Sequence, residues 1–168
     1  GRSELIFEEK DPLFRIGVTK TRDNQMIMLA AYAKTSREYR YIPADNPEAE
    51  WKVVLPREEG HEYSADHYGG EFYITTNKDA ENFRVVRAPV ADPSEKNWKE
   101  FIPHNPAVKI EGLDFFKDYA VVSELENGLE YLRVMDLKTR RAPVRIETPE
   151  SVYTMSLGYN PEFDTPVI

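Results

Sequence analysis

The chain has 168 residues, 40% hydrophobic and 12% aromatic, enough for one globular domain with its own core. Its 22 basic and 30 acidic side chains give a formal charge of −8. That balance argues against a nucleic-acid partner, whose phosphates demand a basic face, and would draw basic peptides only weakly. Cysteine is absent, which excludes a disulfide frame, a thiol nucleophile and a cysteine zinc site, and no apolar run approaches the roughly 20 residues of a membrane-spanning helix.

The opening GRSELIFEEK carries no apolar signal core and reads as the interior of a longer chain, with LIFEE (5–9) the outermost strand of a unit that precedes it. Short β-prone runs then follow in groups of four. FRIGVT (14–19), MIMLAAYA (26–33), EYRYIPA (38–44) and WKVVLP (51–56) form the first group. EYSADHY (62–68), EFYITTN (71–77), NFRVVRAPV (82–90) and WKEFIP (98–103) form the second. KIEGLDFF (109–116), YAVVSEL (119–125), LEYLRVMDL (129–137) and PVRIET (143–148) form the third. Turn signals such as RDN, YGG, NKDAEN and ENG separate them. The second run of each group is nearly apolar on both faces, as a strand packed on both sides requires. VYTMSLGY (152–159) and DTPVI (164–168) read as the inner strands of a following unit.

The groups repeat. ADNPEAEWKVVLP (44–56) and ADPSEKNWKEFIP (91–103) share Ala44, Asp45, Trp51, Lys52 and Pro56 with Ala91, Asp92, Trp98, Lys99 and Pro103, each shifted by 47. Four short strands every ~45 residues with hardly any helical periodicity is the pattern of a β-propeller blade. A β-sandwich also has many short strands but predicts no such repeat. The expected fold is therefore all-β, a partial β-propeller in one domain spanning 1–168. Full blades are expected at about 14–60, 61–108 and 109–150, with remnants at 4–11 and 151–168.

YSADHYGG (63–70) places the three residue types of a serine-hydrolase triad within four positions, at Ser64, Asp66 and His67. On a strand Ser64 and Asp66 share one face and His67 the other, whereas a triad needs the imidazole bonded to both partners. No G-x-S-x-G nucleophile elbow occurs in the chain. Asp66 and His67 are read instead as fixing the Gly69–Gly70 turn and satisfying backbone donors.

The stretch DHYGGEFYITTNKDAENFRVVRAP (66–89), with EEKDPLFRIGVTKTRD (8–23) and ENGLEYLRV (126–134), resembles the propeller of the oligopeptidase B branch of the prolyl oligopeptidase family. The likeness extends over essentially the whole chain. His104–Asn105 stands where the resemblance leads one to expect His–Arg. The resemblance implies an α/β-hydrolase capped by a seven-bladed propeller that restricts entry, cleaving short peptides after Lys or Arg with a Ser-Asp-His triad in the hydrolase domain. That domain is then the expected partner, no catalytic residue is carried over to this chain, and the chain alone is expected to be inactive. The alternative is a non-catalytic propeller scaffold for protein–protein interaction.

His61, His67 and His104 show no H-x-H or H-x-x-x-H spacing, so neither a metal site nor a cofactor is expected. DNPEAE (45–50) lacks the ligand order of a calcium loop. Trp51 and Trp98 read as packing residues rather than stacking platforms, and KTRR (138–141) as a solvated basic turn. Unpaired terminal strands and blade faces point to a homo-oligomer. The lack of cysteine fits a cytoplasmic setting.

Overall fold

The computed structural model describes residues 4–139 and 141–167. Among the described residues twelve strands make three four-stranded antiparallel sheets, each a meander in chain order. Sheet 1 holds β1 (Arg15–Lys20), β2 (Met26–Tyr32), β3 (Arg37–Pro43) and β4 (Lys52–Leu55). Sheet 2 holds β5 (Tyr63–Tyr68), β6 (Glu71–Thr76), β7 (Arg84–Pro89) and β8 (Lys99–Ile102). Sheet 3 holds β9 (Val108–Phe115), β10 (Tyr119–Glu126), β11 (Leu129–Asp136) and β12 (Val144–Arg145). The only helical element among the described residues is one 3-10 turn, Glu95–Asn97.

The three sheets stack face to face. Met28, Tyr41 and Leu55 of sheet 1 meet Tyr63, Phe72, Ile74 and Val86 of sheet 2 in one core. On the other face of sheet 2, Tyr73, Val85 and Ile102 meet Ile110, Phe115, Ala120 and Val122 of sheet 3. This is the blade-on-blade packing of a partial β-propeller. Strand β6 is a nearly continuous apolar run because neighbouring blades cover both its faces, whereas β10 meets sheet 2 on one face and Met155 and Leu157 on the other.

The repeat extends to the defects in the sheets. The β3–β4 register shifts between Tyr39 and Arg40, and the β7–β8 register between Val85 and Val86. A bulge thus falls at corresponding places in consecutive blades. The β5–β6 connection is the two-residue turn Gly69–Gly70, with φ of +60° and +83°. Both residues sit in the left-handed region that favours glycine in tight hairpins.

Trp51 and Trp98 precede β4 and β8 by one residue and are half-buried. Trp98 Nε1 donates to the Pro93 carbonyl at 3.0 Å, and its ring packs against the core between sheets 1 and 2. Full burial would make truncation cost about 3–5 kcal/mol; half-burial brings the expected loss for Trp98→Ala to about 2 kcal/mol. Urea melts of the variant check this, and an unchanged midpoint would remove the packing role.

Two expectations are corrected. Residues 4–11 form no strand, and neither do 151–167; Ile168, the last residue of DTPVI, lies outside the described residues. A strand needs a ladder partner, and no described segment offers one there. Each segment lies over an outward sheet face instead. Arg40 and Arg57 stack on Phe7 and Phe14, and Arg57 Nη2 lies 2.7 Å from Glu9 Oε2. Beneath them Leu29, Ala31 and Glu38 of sheet 1 are buried. At the other end Met155 and Leu157 pack on Phe116, just after β9, and on Val121 and Leu132 of sheet 3. The Lys117 N–H there donates to the Phe163 carbonyl at 3.0 Å.

Candidate functional site

The first strand of each sheet, β1, β5 and β9, forms one edge of its sheet. A cleft of about 780 Å³ lies along these edges, lined among others by Lys20, Arg22, Ser64, Asp66, Asp114 and Asn160. All three sheets contribute to it.

The β1–β2 turn builds its wall. Thr21 Oγ1 donates to Asp23 Oδ1 at 2.7 Å, and the Gln25 N–H donates to the same oxygen at 3.0 Å. The turn is thereby held so that Arg22 and Asp23 project toward the other sheets. Arg22 Nη2 donates to Asp114 Oδ1 on β9 at 2.7 Å, Nη1 donates to the Asn160 carbonyl, and the guanidinium lies 4.5 Å over the Phe116 ring. Asp23 Oδ2 lies 2.6 Å from His67 Nδ1 on β5, and both side chains are almost fully buried. One turn of sheet 1 therefore grips sheets 2 and 3.

Asp66 sits on the opposite face of β5 from His67, as strand alternation requires. Its carboxylate accepts the His67 N–H at 2.9 Å. Burial, with Asp23 and Asp114 nearby adding repulsion, pushes the Asp66 carboxyl up to about 6. Burial alone would raise Asp23 as well, but hydrogen bonds from His67, the Gln25 N–H and Thr21 hold its carboxyl below the usual range.

The triad residue types are not assembled: His67 bonds Asp23 rather than Ser64. The turn-fixing reading of this stretch is corrected in part. Asp66 does satisfy a backbone donor, but His67 ties sheet 2 to sheet 1 and leaves the Gly69–Gly70 turn to the glycines.

The remaining candidates are structural. His61 is buried, with Nε2 2.7 Å from Thr76 Oγ1, and burial, then the nearby Lys78 charge, lowers its titration. His104 Nε2 accepts the Asn82 N–H at 3.4 Å, and Asn105 Oδ1 accepts the Ala107 N–H at 2.9 Å, a local turn bond. A second cleft of about 490 Å³ beside His104 is lined by Glu124, Arg133 and Arg145. Its charges are matched: Arg133 and Arg145 both bond Glu124, and Arg145 also bonds Glu126. In DPSEKN, Asp92 accepts the Ser94 hydroxyl at 2.6 Å ahead of the 3-10 turn. No group of three or more His, Cys, Asp or Glu among the described residues could hold a metal. KTRR includes Arg140, which lies outside the described residues.

Sequence reasoning missed Lys20, Arg22, Asp23, Asp114 and Asn160. One signal was available for Asp114. It follows Asp66 by 48 residues, the same offset that separates the central runs starting at 71 and 119. Asp66 pairs with Tyr73 and Asp114 with Val121, so the two acids hold corresponding positions in consecutive blades.

Three blade-like sheets stacked face to face, with a polar cleft at their first strands, define a β-propeller segment. The chain belongs to the prolyl oligopeptidase family: the profile of that family's N-terminal β-propeller domain matches residues 1–168. Dipeptidyl aminopeptidase BI of Pseudoxanthomonas mexicana is 39% identical over 162 residues, covering 96% of this chain and 22% of the relative. Protease 2 of Moraxella lacunata is 29% identical over 162 residues, covering 96% and 23%. Oligopeptidase B from Leishmania major superposes with a TM-score of 0.86 at 24% identity, covering 95% of this chain and 24% of that one. The chain thus spans under a quarter of the length of each of these relatives, which are serine peptidases.

Proposed function

We propose that the chain is the substrate-gating part of an oligopeptidase B-like serine peptidase that cleaves short peptides after Lys or Arg. The observation that carries this reading is the propeller-domain match over the full 168 residues. In it the blades wall a chamber over an α/β-hydrolase domain, and exclusion follows from size. The charge of −8 favours the approach of basic peptides. A cytoplasmic setting fits the absence of cysteine.

In this proposal the chain alone hydrolyses nothing, because it has no elbow serine or thiol to act as nucleophile. Purified chain incubated with Arg and Lys ester and amide substrates is expected to give background rates. Turnover abolished by Ser64→Ala would overturn this.

Self-association is a further expectation. Strand β1 is exposed along its whole length, with Ile16 and Val18 accessible and Leu5, Ile6 and Leu13 exposed nearby in sequence. An open edge flanked by apolar side chains invites pairing with a second copy. Light scattering after size exclusion should report a dimer or larger; one species at 19.5 kDa at high concentration would refute it.

A further inference from the structure

Spontaneous loss of an asparagine amide needs a backbone N–H on the next residue, room for that nitrogen to approach, and an unengaged side chain. The chain has eight asparagines. Asn46, Asn105 and Asn160 precede proline, whose nitrogen has no hydrogen to give up. Asn24, Asn77, Asn82 and Asn97 precede larger residues, and the Nδ2 of each donates to a backbone carbonyl. Asn127 alone precedes glycine.

The structure leaves that pair open to reaction. Asn127 and Gly128 form the two-residue turn between β10 and β11, and both are exposed. Among the described residues the Asn127 side chain makes no hydrogen bond and the Gly128 N–H has no acceptor. Apart from its chain neighbours, nothing lies within 4 Å of where a Gly128 Cβ would stand. Both φ angles are positive, +51° and +79°, the pattern of a tight hairpin turn. Glu126 and Leu129 pair at its base, and fraying of so exposed a tip costs little.

We infer that Asn127–Gly128 is a site of spontaneous modification, converting to isoaspartate and aspartate in the folded chain. The Gly128 nitrogen attacks Cγ of Asn127 as it gives up its proton. The new nitrogen–carbon bond closes a cyclic imide, the Cγ–Nδ2 bond breaks, and the amide leaves as ammonia carrying that proton. Water then opens the ring. Opening at Cγ gives aspartate, whereas opening at the backbone carbonyl routes the chain through Cγ as isoaspartate.

The product bears on β12. Isoaspartate lengthens the turn by one backbone atom, and either product adds a carboxylate next to Glu126. Arg145 Nη1 donates to Glu126 and Nη2 to Glu124, and these bonds tether a strand only two residues long. A third carboxylate competes for that guanidinium.

Incubating the 168-residue chain at pH 8 and 37 °C, with peptide mapping by mass spectrometry, tests the inference. Isoaspartate is scored by methyl transfer from S-adenosylmethionine, catalysed by an isoaspartyl methyltransferase. Asn127 is expected to convert about tenfold faster than any other asparagine, since glycine has no side chain to shield its nitrogen. It should convert about tenfold more slowly than in the chain unfolded in urea, because the tip must open first. Asn127→Gln should abolish the methyl signal with circular dichroism unchanged. An intact amide at Asn127 after the urea sample has converted, or earlier conversion at another asparagine, would overturn the assignment. In the converted chain the Ile146 N–H, which donates to the Leu132 carbonyl just past β12, should exchange faster. An unchanged rate there would remove the link to β12.

Discussion

Tyr63→Phe is expected to cost about 3 kcal/mol of stability although it deletes a single oxygen. Tyr63 stands on β5 of sheet 2 and is wholly buried, and its hydroxyl enters the bulge of sheet 1. There the hydroxyl accepts the N–H of Tyr39 at 2.8 Å and that of Leu55 at 3.3 Å. It also donates to the Leu55 carbonyl at 2.6 Å. A register shift leaves backbone groups without ladder partners, and this hydroxyl is what satisfies them. Phenylalanine keeps the ring but strands two donors and one acceptor away from water, at about 1–3 kcal/mol for each group left wholly unpaired. Urea melts give the number; a loss under about 1 kcal/mol would mean that the bulge finds other partners. Ile110 holds the place 47 residues on, and there the link to sheet 2 is made by its own N–H, donating to the Asn82 carbonyl.

The second large effect is a stability that falls as pH rises. The carboxyl of Asp66 moves from an ordinary 3.8 to about 6 on folding, so the folded chain holds this proton more tightly, by about 3 kcal/mol. The contribution is complete below about pH 4 and lost as pH rises through about 6. Asp23 works in the opposite sense at lower pH, since its carboxyl is held below the usual range and its stabilisation fades as acid protonates it. Comparison with Asp66→Asn isolates the first effect. Near pH 4 the two proteins should be similar in stability, and at pH 7.5 the variant should be more stable, by up to about 3 kcal/mol. Parallel melting temperatures across pH 4–8 would show that Asp66 does not carry this dependence.

The sheets were legible because their information is local. Alternation, turn residues and the repeated Ala-Asp…Trp-Lys…Pro frame each lie within a few residues, and together they place four strands per blade. The terminal segments were misread for the same reason. LIFEE and VYTMSLGY have strand composition, but a ladder depends on a partner, and these segments lie across sheet faces instead. The cleft was almost illegible. Arg22 meets Asp114 across 92 residues and His67 meets Asp23 across 44, and neither contact leaves a periodic mark in the sequence. Only the spacing of Asp66 and Asp114 recorded that blades place acids at corresponding points.

In a chain of stacked repeats each unit normally senses only its neighbours, and such arrays can fray from their ends one unit at a time. The 21–25 turn breaks that rule. Asp23 holds sheet 2, while Arg22 passes on to Asp114 and Asn160, so melting of sheet 3 would strip the first blade of contacts as well. This next-nearest-neighbour coupling favours concerted loss of all three blades over sequential peeling. Hydrogen exchange of β2 and β10 should then report a common opening free energy in the intact chain and two separate ones in Arg22→Gln.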